Sequence, residues 1–394
     1  MTDAARAVDA AAAPTPESKL PAVGTTIFTV MSALAQEHGA LNLSQGFPDF
    51  DGPPELLERV HHYLTDGRNQ YAPMTGVPSL RAAVAGKVRA LYGRTVDPDA
   101  ELTVTSGATE ALFCAIHAVV RPGDEVIVFD PAYDSYEPAV ELAGGRCVHL
   151  PLAAPDYRVD WDAVRDALTP RTRLVVVNSP HNPTGSVFGP EDLDALEDVL
   201  QGTGVYLLAD EVYEHIVFDG AAHQSLLRRP ALAERAFVVS SFGKTYHVTG
   251  WKLGYCVAPP ALSTEFRKVH QYVTFTSITP VQLALADFLE AHPEHHLGLP
   301  AFYQAKRDRF CSLLEGSRFR FAPAAGTYFQ LLDYSAVSDE DDVTLSRRLT
   351  VEHGIASIPV SVFYRRPPGD RMLRFCFAKD DATLVRAAEL LCAI

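Results

Sequence analysis

Six short apolar segments alternate with helical stretches from about Leu102 onward, and this alternation restricts the fold more than any other feature. Each segment is rich in Val, Ile, Leu and Phe and ends in turn-forming or polar residues. The segments are LTVTSG, DEVIVFDP, RCVHLPL, TRLVVVNSP, VYLLADEVY and AFVVSSFGK. Helical stretches lie between most of them, for example Thr109–Val120 and Pro190–Leu200. Apolar strands that alternate with helices predict an α/β fold with a mainly parallel sheet covered by helices on both faces.

The pattern changes at about residue 280, which predicts a second, smaller domain. A long helical stretch, Pro280–Glu315, leads into FRFAPAAGTYFQLLDY, a helix near Leu345–His353, the segment MLRFCFAK and a last helix. The sequence therefore predicts four parts. They are a disordered tail (1–18), an N-terminal segment that packs with the small domain (19–48), a large cofactor-binding domain (49–279) and a small α+β domain (280–394).

Composition excludes some classes of function. The net charge of −15 argues against a nucleic-acid surface, which would show a basic patch. No apolar run approaches the length of a membrane span. The six cysteines are scattered without a C-x-x-C pair, which favours reduced thiols in the cytoplasm over a disulfide framework. The tail lacks the basic start and apolar core of a secretory signal.

A lysine-containing run, SFGKTYHVTGWKLGY, follows the last of the six apolar segments. Lys244 lies among small and hydroxyl residues, with Lys252 further along the same run. A lysine that forms a Schiff base must lose its proton near neutral pH, which requires nearby cations or partial burial. A solvated surface lysine is the alternative, and for a lysine considered alone it is the better one. Three other segments decide in favour of the reactive lysine.

The first of these segments is SGATEALF, where a strand ends at Ser106 and a helix begins at about Ala108. The first backbone amides of this helix and its dipole form an anion site suited to a phosphate, and Thr109 can add a hydroxyl. Taken alone, the segment is better explained as an ordinary strand-to-helix turn with a serine cap. Ser241 and Lys252 could contact the same phosphate.

The other two segments supply an amide and a carboxylate at strand ends. In SPHNPTG, Asn182 projects from a turn that two prolines and a glycine make rigid. In LLADEVYEHI, Asp210 follows an apolar run, and a buried carboxylate is costly unless a cation pairs with it. A protonated pyridine nitrogen would be such a cation, and Tyr213 could reach the same ligand. Surface turns and helix caps are the alternatives, but together the groups predict a site for pyridoxal phosphate.

Eight segments, spread over nearly all of the chain after the tail, match one known pattern. They are LNLSQGFPDF (41–50), NQYAPMTGVPSLR (69–81), SGATEALF (106–113), DPAYDSYEP (130–138), SPHNPTG (179–185), ADEVYEHIVFDG (209–220), SFGKTYHVTGWKLGY (241–255) and MLRFCFAK (372–379). In these the chain resembles the fold-type I aminotransferases of classes I and II. It is closest to the branch of bacterial methionine aminotransferases and kynurenine aminotransferases.

The resemblance implies pyridoxal 5′-phosphate as the cofactor. Lys244 is implied as the Schiff-base lysine, and Asp210 as the partner of the pyridine nitrogen. Asn182 and Tyr213 would hold the phenolic oxygen, and Tyr133 would stack on the ring. The residues implied for the phosphate are Gly107, Ala108, Thr109, Ser241 and Lys252. The implied reaction is ping-pong transamination between an amino acid and a 2-oxo acid.

Tyr71 is similar to the tyrosine that reaches the phosphate of a neighbouring subunit, which implies a homodimer with shared active sites. On the substrate side, Arg374 resembles the arginine that binds the substrate carboxylate, although a surface pair is the alternative for the residue alone. The remaining implied substrate residues are Gly46, Phe47, Asn182, Phe275 and Phe363. An apolar pocket suits methionine, phenylalanine, leucine or kynurenine, whereas Arg365 or Arg366 turned inward would suit an acidic substrate.

Other functions stay open from the sequence. A cysteine-conjugate β-lyase or an amino-acid oxidase or hydroxylase could use the same scaffold. A transcription regulator of this fold is disfavoured, because the tail leaves no room for a DNA-binding domain and the charge is acidic. The cluster of His292, Glu294, His295 and His296 lacks a complete set at ligand spacing, so no metal is expected. His247 lies close to Lys244, but the resemblance gives the proton transfer to the lysine.

Overall fold

The computed structural model describes residues 16–394, so most of the predicted tail lies outside the described part of the chain. The helices are α1 Ile27–His38, α2 Pro54–Thr65, α3 Pro78–Tyr92, α4 Ala108–Val119, α5 Tyr136–Leu142, α6 Trp161–Ala167, α7 Pro190–Leu200, α8 Pro230–Ala233, α9 Phe242–Thr245, α10 Pro260–Val273, α11 Thr279–Ala291, α12 Pro293–Leu313, α13 Asp342–Glu352 and α14 Asp381–Cys392. The strands are β1 Leu41–Asn42, β2 Leu102–Thr105, β3 Glu125–Asp130, β4 Arg146–Pro151, β5 Thr172–Asn178, β6 Tyr206–Asp210, β7 Ala236–Ser241, β8 Gly254–Val257, β9 Phe329–Asp333, β10 Ile355–Ala356, β11 Ile358–Pro359 and β12 Met372–Cys376.

Seven strands form the large sheet, in the order β2-β8-β7-β6-β5-β3-β4. The pairs from β7 to β4 are parallel, and β8 runs antiparallel to both of its neighbours. The register of β5 and β6 pairs Asn178 with Asp210, so the last residues of these two strands lie side by side. The predicted α/β fold with a mainly parallel sheet is confirmed.

Alternate residues of the central strands face two separate cores. Ile127 and Leu207 belong to the core that includes α2, α3 and α11, whereas Val126 and Leu208 belong to the core that includes α4, α5 and α10. Each of these four side chains is fully buried. Because burial of one such side chain contributes about 1.5–3 kcal/mol, both faces stabilise the sheet and hold its strand ends in place.

Two smaller sheets accompany the large one. β11, β12 and β9 form an antiparallel sheet, and β1 pairs in parallel with β10 through Leu41 and Ile355. Helix α1 packs on α13, so the N-terminal segment lies against the C-terminal elements. Among residues 16–394, no helix is both long and apolar enough to cross a membrane.

Two elements differ from the prediction. The single helical stretch predicted over Pro280–Glu315 is wrong, because the helix breaks at His292 and restarts at Pro293, whose ring removes the backbone donor that a continuous helix needs. The short antiparallel strand β8 was not predicted. Since α11 packs on α2 and α3 and contributes to the large-sheet core, we propose a domain boundary near residue 292 rather than 280.

Candidate active site

A cavity of about 210 Å³ lies at the carboxyl ends of the parallel strands, between the large sheet, the N-terminal segment and the C-terminal elements. Most of the predicted site residues line it. They are Gly46, Gly107, Ala108, Thr109, Tyr133, Asn182, Asp210, Tyr213, Ser241, Lys244, Lys252 and Arg374. Their convergence follows from parallel strands, whose carboxyl ends share one edge of the sheet. The chemical roles assigned to them stay predictions.

Lys244 lies in α9, the short helix that follows β7. Its Nζ donates to the backbone oxygen of Gly46 at 3.0 Å and to the hydroxyl of Tyr328 at 2.9 Å. Burial lowers the pKa of the Lys244 amine to about 8, and the positive charges of Lys252 and Arg374 act in the same direction. Near neutral pH the amine therefore loses its proton far more readily than an exposed lysine, as a nucleophile or base requires.

Asp210 is the last residue of β6 and is buried. Its Oδ2 accepts a hydrogen bond of 2.7 Å from the hydroxyl of Tyr136, and its Oδ1 accepts from the backbone N–H of Val212 at 3.3 Å. Burial raises the pKa of the Asp210 carboxyl to about 6 in spite of these bonds. A cation placed against this carboxyl would hold it ionised, so the site favours a positively charged partner.

The turn before α4 is closely packed against Lys252. Gly107 has φ of 80°, and a Cβ there would lie 3.2 Å from Cε of Lys252. A Cβ at Gly254 would lie 2.6 Å from the Ser240 oxygen, so only glycine lets β8 approach this closely. Because β8 is antiparallel, its first residues enter at the edge where β2 and β7 end, and this brings Lys252 to the first turn of α4.

Arg374 lies on β12 and is almost fully buried. Its Nη1 donates to Oδ1 of Asn182 at 2.7 Å and its Nη2 to the backbone oxygen of Ser44 at 2.8 Å. Burial lowers the pKa of its guanidinium to about 10, which still leaves it charged at neutral pH. Among residues 16–394, Nε of Arg374 has no hydrogen-bond partner. Such a buried, charged donor can bind a carboxylate strongly.

Four predicted residues do not line the cavity. Tyr71 is 82% exposed, and its ring contacts that of Phe275, which is 40% exposed. Phe47 is 42% exposed, and its backbone oxygen accepts from Nζ of Lys379 at 2.9 Å. Phe363 is buried in another cluster with Met31 and Ile358. The ring centroid of Phe363 lies 5.7 Å from that of Phe28, a residue of the cavity wall, and the roles predicted for Phe47, Phe275 and Phe363 in the substrate pocket stay predictions.

The structure adds residues that sequence reasoning missed. Tyr328 contacts Lys244, and its hydroxyl also donates to the oxygen of Gly46 at 2.6 Å. The other additions to the cavity wall are Phe28, Gln45, Leu112, Asn178, Val212, Gly243, Thr249, Leu253 and Phe329. The sequence could have indicated Asn178 as a site residue, since it ends an apolar strand as Asp210 does. No sequence pattern indicated Phe28 or Tyr328, because both come from segments far in sequence from the strand ends that form the cavity.

The histidines near the site have other partners. Nδ1 of His247 lies 3.0 Å from the hydroxyl of Tyr303, and burial lowers the pKa of its imidazole to about 3. His295 Nε2 lies 3.0 Å from the backbone oxygen of Thr245, while His292 pairs with Glu294 at 2.9 Å. The base assignment therefore stays with Lys244, as the sequence predicted.

The donor set fits the predicted cofactor. The first amides of α4, with Thr109, Ser241 and Lys252, would bind a phosphate at one end of the cavity. Asp210 offers a buried carboxylate to a ring cation, and Lys244 offers an amine of lowered pKa to an aldehyde. Tyr133 lies on the same wall. Each group that pyridoxal phosphate presents therefore has a complementary side chain in one cavity.

Comparison with known proteins agrees with this geometry. The aminotransferase class I and II family matches residues 39–391. The methionine aminotransferase of Escherichia coli K12 is 57% identical over 376 residues, covering 95% of this chain and 97% of its own. The kynurenine–oxoglutarate transaminase 1 of Mus musculus is 34% identical, covering 91% of this chain and 93% of its own.

Solved structures give the same result. A crystal structure of YbdL from Escherichia coli, described with a methionine aminotransferase function, superposes with a TM-score of 0.95 at 56% identity and covers 97% of this chain and 100% of its own. The predicted resemblance is thereby confirmed. The chain belongs to the aminotransferase class I and II family, whose members depend in general on pyridoxal phosphate.

Proposed function

We propose that this aminotransferase uses pyridoxal 5′-phosphate to move the amino group of an apolar, sulfur-containing or aromatic L-amino acid to a 2-oxo acid. The observation that carries the proposal is the meeting of Lys244, Asp210 and Arg374 in one buried cavity. An amine, a carboxylate and a guanidinium are the three charged groups that such a reaction needs from the protein.

The cofactor, when bound, supplies an aldehyde and a ring that withdraws electrons from the substrate's Cα. Asp210 would hold the proton of the ring nitrogen through its buried carboxylate. Asn182 and Tyr213 would bind the phenolic oxygen, and the first turn of α4 would orient the phosphate. Together with Tyr133 on the same wall, these residues would hold the ring and restrict its rotation.

Lys244 would act as the base on the substrate. Its amine lies between Tyr213 and Tyr328, with Nζ 5.6 and 5.5 Å from the two ring centroids. A neutral Nζ would take the proton from the substrate's Cα, and the pKa of about 8 keeps part of the population neutral at physiological pH. Tyr328 and the Gly46 oxygen would steer the amine by their hydrogen bonds.

The substrate end of the cavity combines one cation with apolar walls. The guanidinium carbon of Arg374 lies 3.9 Å from the ring centroid of Phe329 and 5.3 Å from that of Phe28. Arg374 would bind the α-carboxylate, and the two rings would contact an apolar side chain. Arg365 contacts Glu137 at 3.9 Å and is exposed, so nothing in the described residues favours an acidic side chain.

A homodimer with shared active sites is part of the proposal. We define the aromatic patch as Tyr71, Tyr272, Phe275 and Ile278, all of them exposed, with Tyr272 87% exposed. Exposed aromatic groups of this kind are typical of protein interfaces. Ser277, in the same segment, contacts Ser106 beside the phosphate loop at 2.9 Å, so a partner on this patch would lie close to the cavity.

A reducing compartment such as the cytoplasm is also proposed. All six cysteines are unpaired in the structure, and Cys114, Cys256, Cys311 and Cys376 are buried. This arrangement agrees with the scattered spacing of the cysteines in the sequence.

A panel of amino donors with several acceptors tests the proposed function. Purified protein loaded with pyridoxal 5′-phosphate would be assayed with methionine, phenylalanine, leucine, kynurenine, aspartate and lysine. The acceptors would be 2-oxoglutarate, pyruvate and 4-methylthio-2-oxobutyrate. We expect the first four donors to exceed aspartate and lysine by at least about tenfold in kcat/KM.

Three results would contradict the proposal. Preference for aspartate would mean that the apolar walls do not contact the side chain. Release of pyruvate from a cysteine conjugate without use of an acceptor, at a rate above transamination, would identify a β-lyase. Oxygen uptake in place of acceptor use would identify an oxidase or a hydroxylase.

A further inference from the structure

A buried pair of His270 and Glu110 lies beside the first turn of α4 and has no role in the reaction described above. Nδ1 of His270 lies 2.7 Å from Oε1 of Glu110, and Nε2 lies 2.9 Å from the backbone oxygen of Met74. The His270 side chain is 0% exposed. The Met74 oxygen can only accept, so Nε2 donates to it, and one proton lies between Nδ1 and Oε1 of Glu110.

Glu110 accepts two further hydrogen bonds. Its Oε2 accepts from the backbone N–H of Ser106 at 2.9 Å, and its Oε1 also accepts from Sγ of Cys114 at 3.0 Å. Because one proton is shared between His270 and Glu110, the buried pair has no net charge, and its carboxyl group holds the residue that precedes the phosphate turn.

The position of Glu110 creates an electrostatic problem. It is the third residue of α4, the helix whose first amides are expected to bind the doubly charged phosphate. Two anions at one helix end repel each other, and partial burial weakens the screening by water. A cation beside Glu110 removes this repulsion while the hydrogen bond to Ser106 remains.

We propose that His270 is a positioning residue for the phosphate group of the cofactor, and the inference rests on the function proposed above. His270 neutralises Glu110, so that Glu110 can shape the turn at Ser106 without repelling the phosphate. Through Met74 the same ring also fixes the segment that contains Tyr71. His270 does not touch the reacting atoms, so it acts through the phosphate turn.

Competition between two aldehydes tests the role. Full-length protein freed of cofactor would be titrated with pyridoxal 5′-phosphate and with pyridoxal, which lacks the phosphate, and the visible absorbance would be followed. For His270→Gln we expect the dissociation constant of pyridoxal 5′-phosphate to rise about tenfold, as one unscreened charge at this range implies. The dissociation constant of pyridoxal should change by less than about twofold. Inorganic phosphate should compete with pyridoxal 5′-phosphate more weakly in the variant than in the unsubstituted protein.

The charge-matched variant separates electrostatics from packing. In the double variant His270→Gln with Glu110→Gln both charges are gone, so affinity for pyridoxal 5′-phosphate should return to within about threefold of the unsubstituted protein. His292→Gln removes a histidine from an exposed pair with Glu294 and is the matched control, with no change expected for either aldehyde.

Each outcome decides the inference. Equal weakening of both aldehydes in His270→Gln, or a double variant weaker than the single one, would overturn it. If the single variant fails to fold by circular dichroism, the double variant must bind normally; if both fail to fold, the pair is purely structural and the inference is wrong. An unsubstituted protein that binds neither aldehyde would instead refute the proposed function.

Discussion

The inner wall of the cavity and its outer rim are built in opposite ways. On the inner wall Asp210 and Arg374 are buried and Lys244 is partly buried. All three are hydrogen-bonded within the chain, and desolvation shifts the pKa of each. On the rim Tyr71 and Phe275 are exposed and contact mainly each other. The difference teaches that one chain brings these three charged groups together by itself, whereas Tyr71 and Phe275 would need the proposed second subunit to bury them.

Among substitutions in the inner wall, Lys244→Ala should reduce the activity most. The variant loses both the amine that holds the cofactor and the base, so we expect kcat to fall by about 10³-fold or more. The visible absorbance of covalently bound cofactor should disappear in the same sample. Lys268→Ala is the control, because Lys268 is exposed and pairs only with Glu265. Normal turnover in Lys244→Ala would refute the assignment.

Arg374→Ala should have the next largest effect. It removes the buried guanidinium proposed to bind the substrate carboxylate, and we expect kcat/KM to fall by about 100-fold through a higher KM and a lower kcat. Arg371→Ala is the matched control on the same strand region, since Arg371 pairs at the surface with Asp339. Unchanged steady-state kinetics in Arg374→Ala would mean that the carboxylate binds elsewhere.

The pKa of Lys244 gives a pH test of how buried the inner wall is. Because its pKa is lowered to about 8, the neutral fraction of its amine rises with pH and levels off above that value. The rate at which cofactor-free protein captures pyridoxal should rise about tenfold between pH 7 and 9, and then stay constant. A free lysine derivative, with a pKa of about 10.4, should show a rise of about 100-fold over the same range. A protein profile that matches the free lysine would show that the amine is solvated.

Tyr71→Ala should have the smallest effect and tests the rim. If Tyr71 reaches the phosphate of a second subunit, its loss should weaken binding of pyridoxal 5′-phosphate about fivefold, the equivalent of one net hydrogen bond of about 1 kcal/mol. Tyr272→Ala, in the same aromatic patch, should leave cofactor affinity unchanged and shift the dimer towards monomer in sedimentation. Equal effects of the two variants on cofactor affinity would argue against a specific contact by Tyr71.

Prediction from the sequence succeeded where the signal was local. Asp210 and Lys244 each follow an apolar strand, and parallel pairing brings such positions to one edge. It failed at Pro280–Glu315, where the helix restarts at a proline instead of running on. The roles of the aromatic residues 47, 275 and 363 stay predictions, because they depend on packing that a sequence pattern does not specify.

The sequence by itself determined the parallel sheet, the positions of Asn182, Asp210 and Lys244 at strand ends, and the family. The apolar pattern of a strand and the residue types of a turn involve residues that are neighbours in the chain, so both can be predicted from the sequence. Only the tertiary structure decided that Tyr328 contacts Lys244 and that Arg374 is buried between aromatic rings. It also decided that His270 contacts Glu110. Such contacts join residues far apart in sequence, so they exist only once those segments have packed together.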